Sequence, residues 1–225
     1  QAEDGIRDLV RSRGLGDVYK RQDLVTESKS ILPNRNWKLG TMGETWFVGD
    51  TINIGIGQGY ITSTPLQLAV SISALANKGK TYKPVLAVQN NFNPENYFEV
   101  FLREVQHWDV IEESMISVIE SWNGTAHNLY SEDSISIAGK TGTAQIKSLM
   151  DQELTVSEEY EDVRQNVRDR DHALFASYGP IPEPNLVVVV IVENGESGSA
   201  VAAPIAKKLI EEYQNEQKNE QTNPS

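Results

Sequence analysis

Between Ser134 and Ile146 the chain reads Ser-Ile-Ser-Ile-Ala-Gly-Lys-Thr-Gly-Thr-Ala-Gln-Ile, and this stretch limits the rest of the molecule more than any other. Ile135 and Ile137 alternate with Ser134 and Ser136, the period of a strand with one buried face. The alternation then meets Gly139 and Gly142, flanking Lys140 and Thr141. Glycine weakens a strand interior and is tolerated where something must approach the backbone closely. The predicted strand offers a cation, two hydroxyls and exposed amide N–H groups along one edge. Such an edge suits a substrate with a carboxylate and a carbonyl. Taken alone, the Lys-Thr-Gly residues are better described as an ordinary edge strand with a solvated lysine.

The surrounding pattern mixes helices and strands. Pro33 to Asp50 reads as a loop, with Trp37, Trp46 and Phe47 as anchors, and the glycine cluster Gly49–Gly59 follows. That cluster runs Gly-x-Gly-x-Gly into Tyr60-Ile61 and lacks the strand–turn–helix setting of a dinucleotide site. Thr64 as N-cap, Pro65 at the first helical position and Gln67 closing a Thr-x-x-Gln box open a helix. Leu68, Ile72, Leu75 and Ala76 form its apolar stripe, and Gly79 stops it. Strands are expected over Tyr82–Val88 and Tyr97–Phe101. A helix with a broad buried face follows over His107–Ser121, then a turn at Asn123-Gly124-Thr125-Ala126-His127.

After the lysine-bearing strand, Lys147 to Asp171 is a long excursion holding a helix with Val156, Tyr160, Val163 and Val167 at helical spacing. Ala173–Tyr178 and Leu186–Val192 are strands parted by Pro180, Pro182 and Pro184. The second is all Val, Ile and Leu and is expected to be central, each side chain contributing about 1.5–3 kcal/mol on full burial. Ala200–Gln214 closes the fold with Val201, Ile205, Leu209 and Tyr213 on one face. From Asn215 the chain is polar and expected to be disordered. Residues 1–22 lack periodicity and read as a non-native or disordered leader.

Charge and composition remove some functions. With 225 residues and a net charge of −12, the chain lacks the basic surface of a nucleic-acid binder. Without cysteine it has no disulfide framework or thiolate metal site. His107, His127 and His172 are too scattered for metal ligation, and His172 reads as a hydrogen-bonded structural residue. No cofactor is implied.

Seven ordered stretches carry a resemblance. They are Leu32-Pro33-Asn34, Gly49-Asp50-Thr51 with Gly55-Ile56-Gly57-Gln58-Gly59, Thr64-Pro65-Leu66-Gln67, Asn123–His127, Gly139–Gln145, Asp171-His172-Ala173 and Val192-Glu193-Asn194-Gly195. Over Asp23–Gln214 the chain resembles the C-terminal part of the transpeptidase domain of class B, elongation-type penicillin-binding proteins, the penicillin-binding protein 2 family. The resemblance implies an α+β fold, an antiparallel sheet flanked by helices on both faces and incomplete at its N-terminal side. It implies a peptidoglycan D,D-transpeptidase that acts on stem peptides ending in D-Ala-D-Ala, is acylated by β-lactams, works with a membrane glycosyltransferase and sits at the periplasmic face of the inner membrane. In that scheme Lys140 polarises the site, the Thr143 N–H is an oxyanion donor, and Thr141, Gly142 and Thr143 bind substrate.

Two departures accompany the match. No serine in this sequence has a lysine three residues later, so the nucleophile motif Ser-x-x-Lys is missing. The one formal Ser-x-Asn, Ser121-Trp122-Asn123, lies downstream of the glycine cluster instead of upstream, a coincidental match. The chain is therefore expected to be a fragment, inactive alone. A non-catalytic β-lactam-sensing module and a serine β-lactamase of the same fold are the alternatives.

Overall fold

The computed structural model describes residue 28 and residues 30–85, 93–144 and 170–222. They divide into two compact units, one reaching to Val70 and resuming over Thr81–Phe98, the other taking Ser71–Lys80 and Glu99 onward. The helix expected around Val156–Val167 and the leader at 1–22 lie outside the described residues.

In the first unit the expected loop from Pro33 to Asp50 is instead two short helices, α1 (Arg35–Met42) and α2 (Val48–Gly55). Polar contacts hold them. Asn34 Oδ1 accepts from Trp37 N at 2.9 Å, capping α1. Asp50 accepts from Phe47 N at 2.8 Å, which caps α2, and from Lys38 Nζ at 2.7 Å, which ties the two helices together. Lys38 is only 3% exposed, and its ammonium lies 4.7 Å from the Phe47 ring centroid. Its hydrogen bond holds the Asp50 carboxyl below the usual carboxylate range, while Asp50 raises the lysine above its own. Phe47 itself is 59% exposed, so it is no anchor onto a core among the described residues.

Helix α3 (Pro65–Ala76) begins as its capping box dictates. Thr64 N donates to Gln67 Oε1 at 2.8 Å and Gln67 N donates to Thr64 Oγ1 at 3.2 Å. The buried face is Gln67, Val70, Ile72 and Ala74, while Leu68, Leu75 and Ala76 are half-buried. Strand β1 (Lys80–Tyr82) starts earlier than expected, directly after Gly79, and pairs with β2 (Asn96–Glu99). Leu86–Val88, expected to continue it, lie outside the described residues.

In the second unit α4 (Gln106–Glu120) buries Trp108, Met115 and Ile119, as its periodicity requires. Three antiparallel strands follow: β3 (Ala138–Ala144), β4 (His172–Gly179) and β5 (Leu186–Val192), in spatial order β3-β4-β5. The strand expected from Ser134 begins only at Ala138. Ala138 pairs with Tyr178 near the end of β4, and Pro180 beyond it has no N–H with which to extend the ladder. The expectation of a central, doubly covered β5 is also corrected. Among the described residues β5 pairs only with β4, which is the central strand, and Ile191 is 39% exposed.

A π turn over Gly198–Ala202 leads into α5 (Ala203–Thr222). Ala202 at the end of the turn and Ala203, Ala206 and Ile210 on the helix enter the core with Ala173, Phe175 and Val188. Ile205 and Leu209, expected on the buried face, are largely exposed. Three alanines allow the helix axis close to the sheet, which bulkier side chains would prevent. The helix also continues past Gln214, so residues 215–222 are helical where disorder was expected, in keeping with their Gln, Glu and Lys content. Tyr178 points to the other sheet face, where burial and then the charge of Glu112 in α4 push its phenol up to about 12. Helices thus flank the sheet on both sides.

Candidate active site

Strand β3 is at the rim of the sheet, and among the described residues its outer edge has no strand partner. Lys140 and Thr143 are exposed there, with Thr141 and Gly142 half-buried. Lys140 and Gly142 stand opposite Ala176 and Leu174 of β4, whereas Thr141 and Thr143 stand opposite Phe175 and Ala173. Partners across a ladder share a face, so the cation leaves the strand on one side and both hydroxyls on the other. Lys140 Nζ folds back to donate to Thr141 O at 2.7 Å.

Thr125, which sequence reasoning assigned no role, meets this strand. Its Oγ1 lies 3.0 Å from Thr141 Oγ1. The Asn123–His127 turn delivers it by satisfying the carbonyls at the end of α4. Ala126 N donates to Val118 O at 2.9 Å, and His127 Nδ1 lies 3.0 Å from Ile119 O. Because a carbonyl only accepts, His127 carries its proton on Nδ1. A side chain at Gly124 would strike Val118 O and come within 2.5 Å of Ser117 O. The glycine after a helix end was the available signal. Ser121, in the formal Ser-x-Asn match, is the C-cap of α4, and the adjoining Trp122 is 86% exposed.

Two further stretches singled out by resemblance meet each other at the far end of β4 and β5. Asn194 N donates to His172 Nδ1 at 3.0 Å and Asn194 Nδ2 to Arg170 O at 2.9 Å, while Glu196 N donates to Asp171 O at 2.9 Å. His172 therefore accepts on Nδ1 and its neutral ring keeps the proton on Nε2. Its work is to clasp the strand ends. Among the described residues no cluster of three or more His, Asp or Glu could hold a metal, and no helix is long and apolar enough to cross a membrane.

The family described as the penicillin binding protein transpeptidase domain matches residues 2–211. The chain is 36% identical over 201 residues to the peptidoglycan D,D-transpeptidase MrdA of Haemophilus influenzae, covering 86% of this chain and 30% of that protein. It is 35% identical over 217 residues to the Acinetobacter baumannii protein of the same name, covering 92% and 30%. Among solved structures, Pseudomonas aeruginosa PBP2 in complex with WCK 5153 superposes with a TM-score of 0.71 at 36% identity, over 85% of this chain and 39% of that one. Helicobacter pylori PBP2, in its complex with MreC, gives 0.71 at 27% identity over 89% and 34%. The chain thus spans about a third of the length of the relatives it matches.

Proposed function

Because the chain belongs to the penicillin-binding protein transpeptidase family, we propose that it supplies the lysine-bearing side of a peptidoglycan D,D-transpeptidase site. The carrying observation is the Lys140-Thr141-Gly142-Thr143 strand, exposed at the sheet rim with backbone amides on an unpaired edge among the described residues. In the reaction, a serine hydroxyl adds to the penultimate D-alanine carbonyl of a stem peptide. The terminal D-alanine leaves as its free amine, taking up the serine proton, and the amine of a second strand then displaces the serine. A β-lactam stops at the acyl stage because its ring nitrogen stays tethered.

Each β3 residue has a role. Lys140 provides the positive field that favours proton removal from the serine. The Thr143 N–H donates to the developing oxyanion, and its exposed hydroxyl takes the substrate carboxylate. Gly142 leaves room for the peptide to lie against the strand. Thr141, which shares its hydroxyl with Thr125, contributes to substrate binding through that pair. No serine in this sequence has a lysine three residues later, so on this reading the chain alone lacks the activated nucleophile and is inactive. In the full-length protein it works at the periplasmic face of the inner membrane beside a glycosyltransferase, with no cofactor.

The test uses a fluorescent penicillin and intact mass measurement. The full-length protein carrying this chain is expected to gain one adduct, the isolated 225-residue chain none. A full-length protein that takes no label, or an isolated chain that does, would overturn the reading.

A further inference from the structure

The π turn ahead of α5 presses its backbone on the proposed oxyanion strand. A Cβ built on Gly198 would collide with Leu174 O, lie 2.8 Å from Gly142 O and lie 3.3 Å from Gly142 N. All three are backbone atoms, which cannot swing aside as the end of a side chain can. Gly142 C=O and Thr143 N–H belong to one planar peptide group and point in opposite directions. Whatever limits the carbonyl oxygen therefore sets the direction of the N–H.

The turn itself is firmly placed. Ser197 Oγ accepts from Ala200 N at 3.2 Å, Val201 N donates to Ser197 O at 3.0 Å, and Asn128 Nδ2 donates to Ser199 O at 3.2 Å. Ala202 and Ala203 behind it are fully buried. Leu174 belongs to the central strand, whereas β3 is at the rim among the described residues. Between a pinned turn, a central strand and a rim strand, the rim strand gives way first.

We propose that Gly198 is a positioning residue for acylation: by lacking a side chain it lets the π turn seat against the Gly142–Thr143 peptide and aim the Thr143 N–H at the oxyanion. This rests on the transpeptidase reading above. A methyl at 198 pushes β3 outward and tilts that peptide, and a hydrogen bond weakens steeply as its angle closes. Removing one oxyanion donor outright slows acyl transfer by about 10²–10³-fold, so tilting it is expected to slow acylation by about 10- to 100-fold.

The experiment measures penicillin acylation in the full-length protein carrying this chain, separating the acylation rate constant from the pre-covalent binding constant, with thermal unfolding alongside. Gly198→Ala is expected to lose rate about 10- to 100-fold with binding within about 2-fold and cooperative unfolding retained. Should Gly198→Ala fail to fold, Ser197→Ala, which only loosens the turn, is expected to lose rate about 3- to 10-fold on the same pattern. Acylation of a folded Gly198→Ala at the parent rate, or of Ser197→Ala when that is the variant measured, overturns the proposal and leaves the transpeptidase reading intact. A loss confined to binding also overturns it. A parent protein that takes no label overturns both.

Discussion

Thr125 and Thr141 stand hydroxyl to hydroxyl at 3.0 Å, joining the turn after α4 to the lysine-bearing strand. Each hydroxyl has one proton, so one of the pair donates and the other keeps its own donor for a third group. Thr125→Val removes the bond while keeping the shape. It is expected to destabilise the fold by about 0.5–1.5 kcal/mol and to weaken penicillin binding by the full-length protein, whereas Thr125→Ser restores both. Calorimetry and stopped-flow acylation read the two effects, and an unchanged Thr125→Val would remove the pair from the site.

Lys140 contributes charge and little packing, since it is exposed and, among the described residues, its ammonium donates to Thr141 O of its own strand. Lys140→Ala in the full-length protein should slow acylation by about 10²–10³-fold with an unchanged melting temperature. Thr143→Ala should be milder, because the proposed oxyanion donor is backbone. Parent-like acylation by Lys140→Ala would dismiss the assignment.

The strand-end clasp should behave as a structural element. His172→Ala leaves Asn194 N without its acceptor, a loss of about 1–3 kcal/mol visible in urea unfolding. Nitrogen NMR of the His172 ring should show the proton on Nε2. A proton on Nδ1 would contradict the bond.

Acid stability of the first unit is tied to Asp50. Its carboxyl is held below the ordinary value of 3.8, chiefly by the Lys38 bond and then by Phe47 N–H. A depressed carboxyl stabilises the fold above the unfolded-state value and loses that contribution as pH falls through the folded one. Hydrogen exchange in α1 and α2 should therefore accelerate below about pH 3.8. Asp50→Asn should be faster at neutral pH and lack the acid step. The Lys38 side acts oppositely, its contribution present below 10.5 and lost only above it.

Helix α5 supplies a comparison within one turn. Ile210 is fully buried and Leu209 is 47% exposed. Ile210→Ala should destabilise by about 2–5 kcal/mol and Leu209→Ala by less than about 1 kcal/mol in chemical denaturation. Equal losses would mean that the helix is rotated.

The same helix shows where sequence stops being informative. Its existence followed from the pattern, but its phase did not, because the stripe of large residues at 201, 205 and 209 outweighed the alanines that pack against the sheet. Helix α3 was readable to the residue at its start, since a capping box is a local chemical signal. Helices α1 and α2 were not. Each has eight residues, shorter than the window of about 11–18 over which helical periodicity is legible, and Lys38–Asp50 joins them across intervening chain. Lys140, Thr141, Gly142 and Thr143 could be nominated from their motif, and the structure sets them together on a rim strand. Thr125 could not, because its partner is 16 residues away. The three atoms nearest a Cβ at Gly198 are all backbone, so its neighbours leave no side-chain signature in the sequence.

Strand β5 carries a consequence for handling the chain. Leu-Val-Val-Val-Val-Ile-Val has no charge, proline or glycine over seven residues, and among the described residues one side of its ladder is open. Natural sheets guard such an edge with lysine, proline or a bulge, and this one has none. Backbone N–H and C=O groups held in register are a template onto which a second copy can add its own strand. Self-association of the isolated chain should accordingly grow with concentration and be resisted by a single lysine placed at Val189.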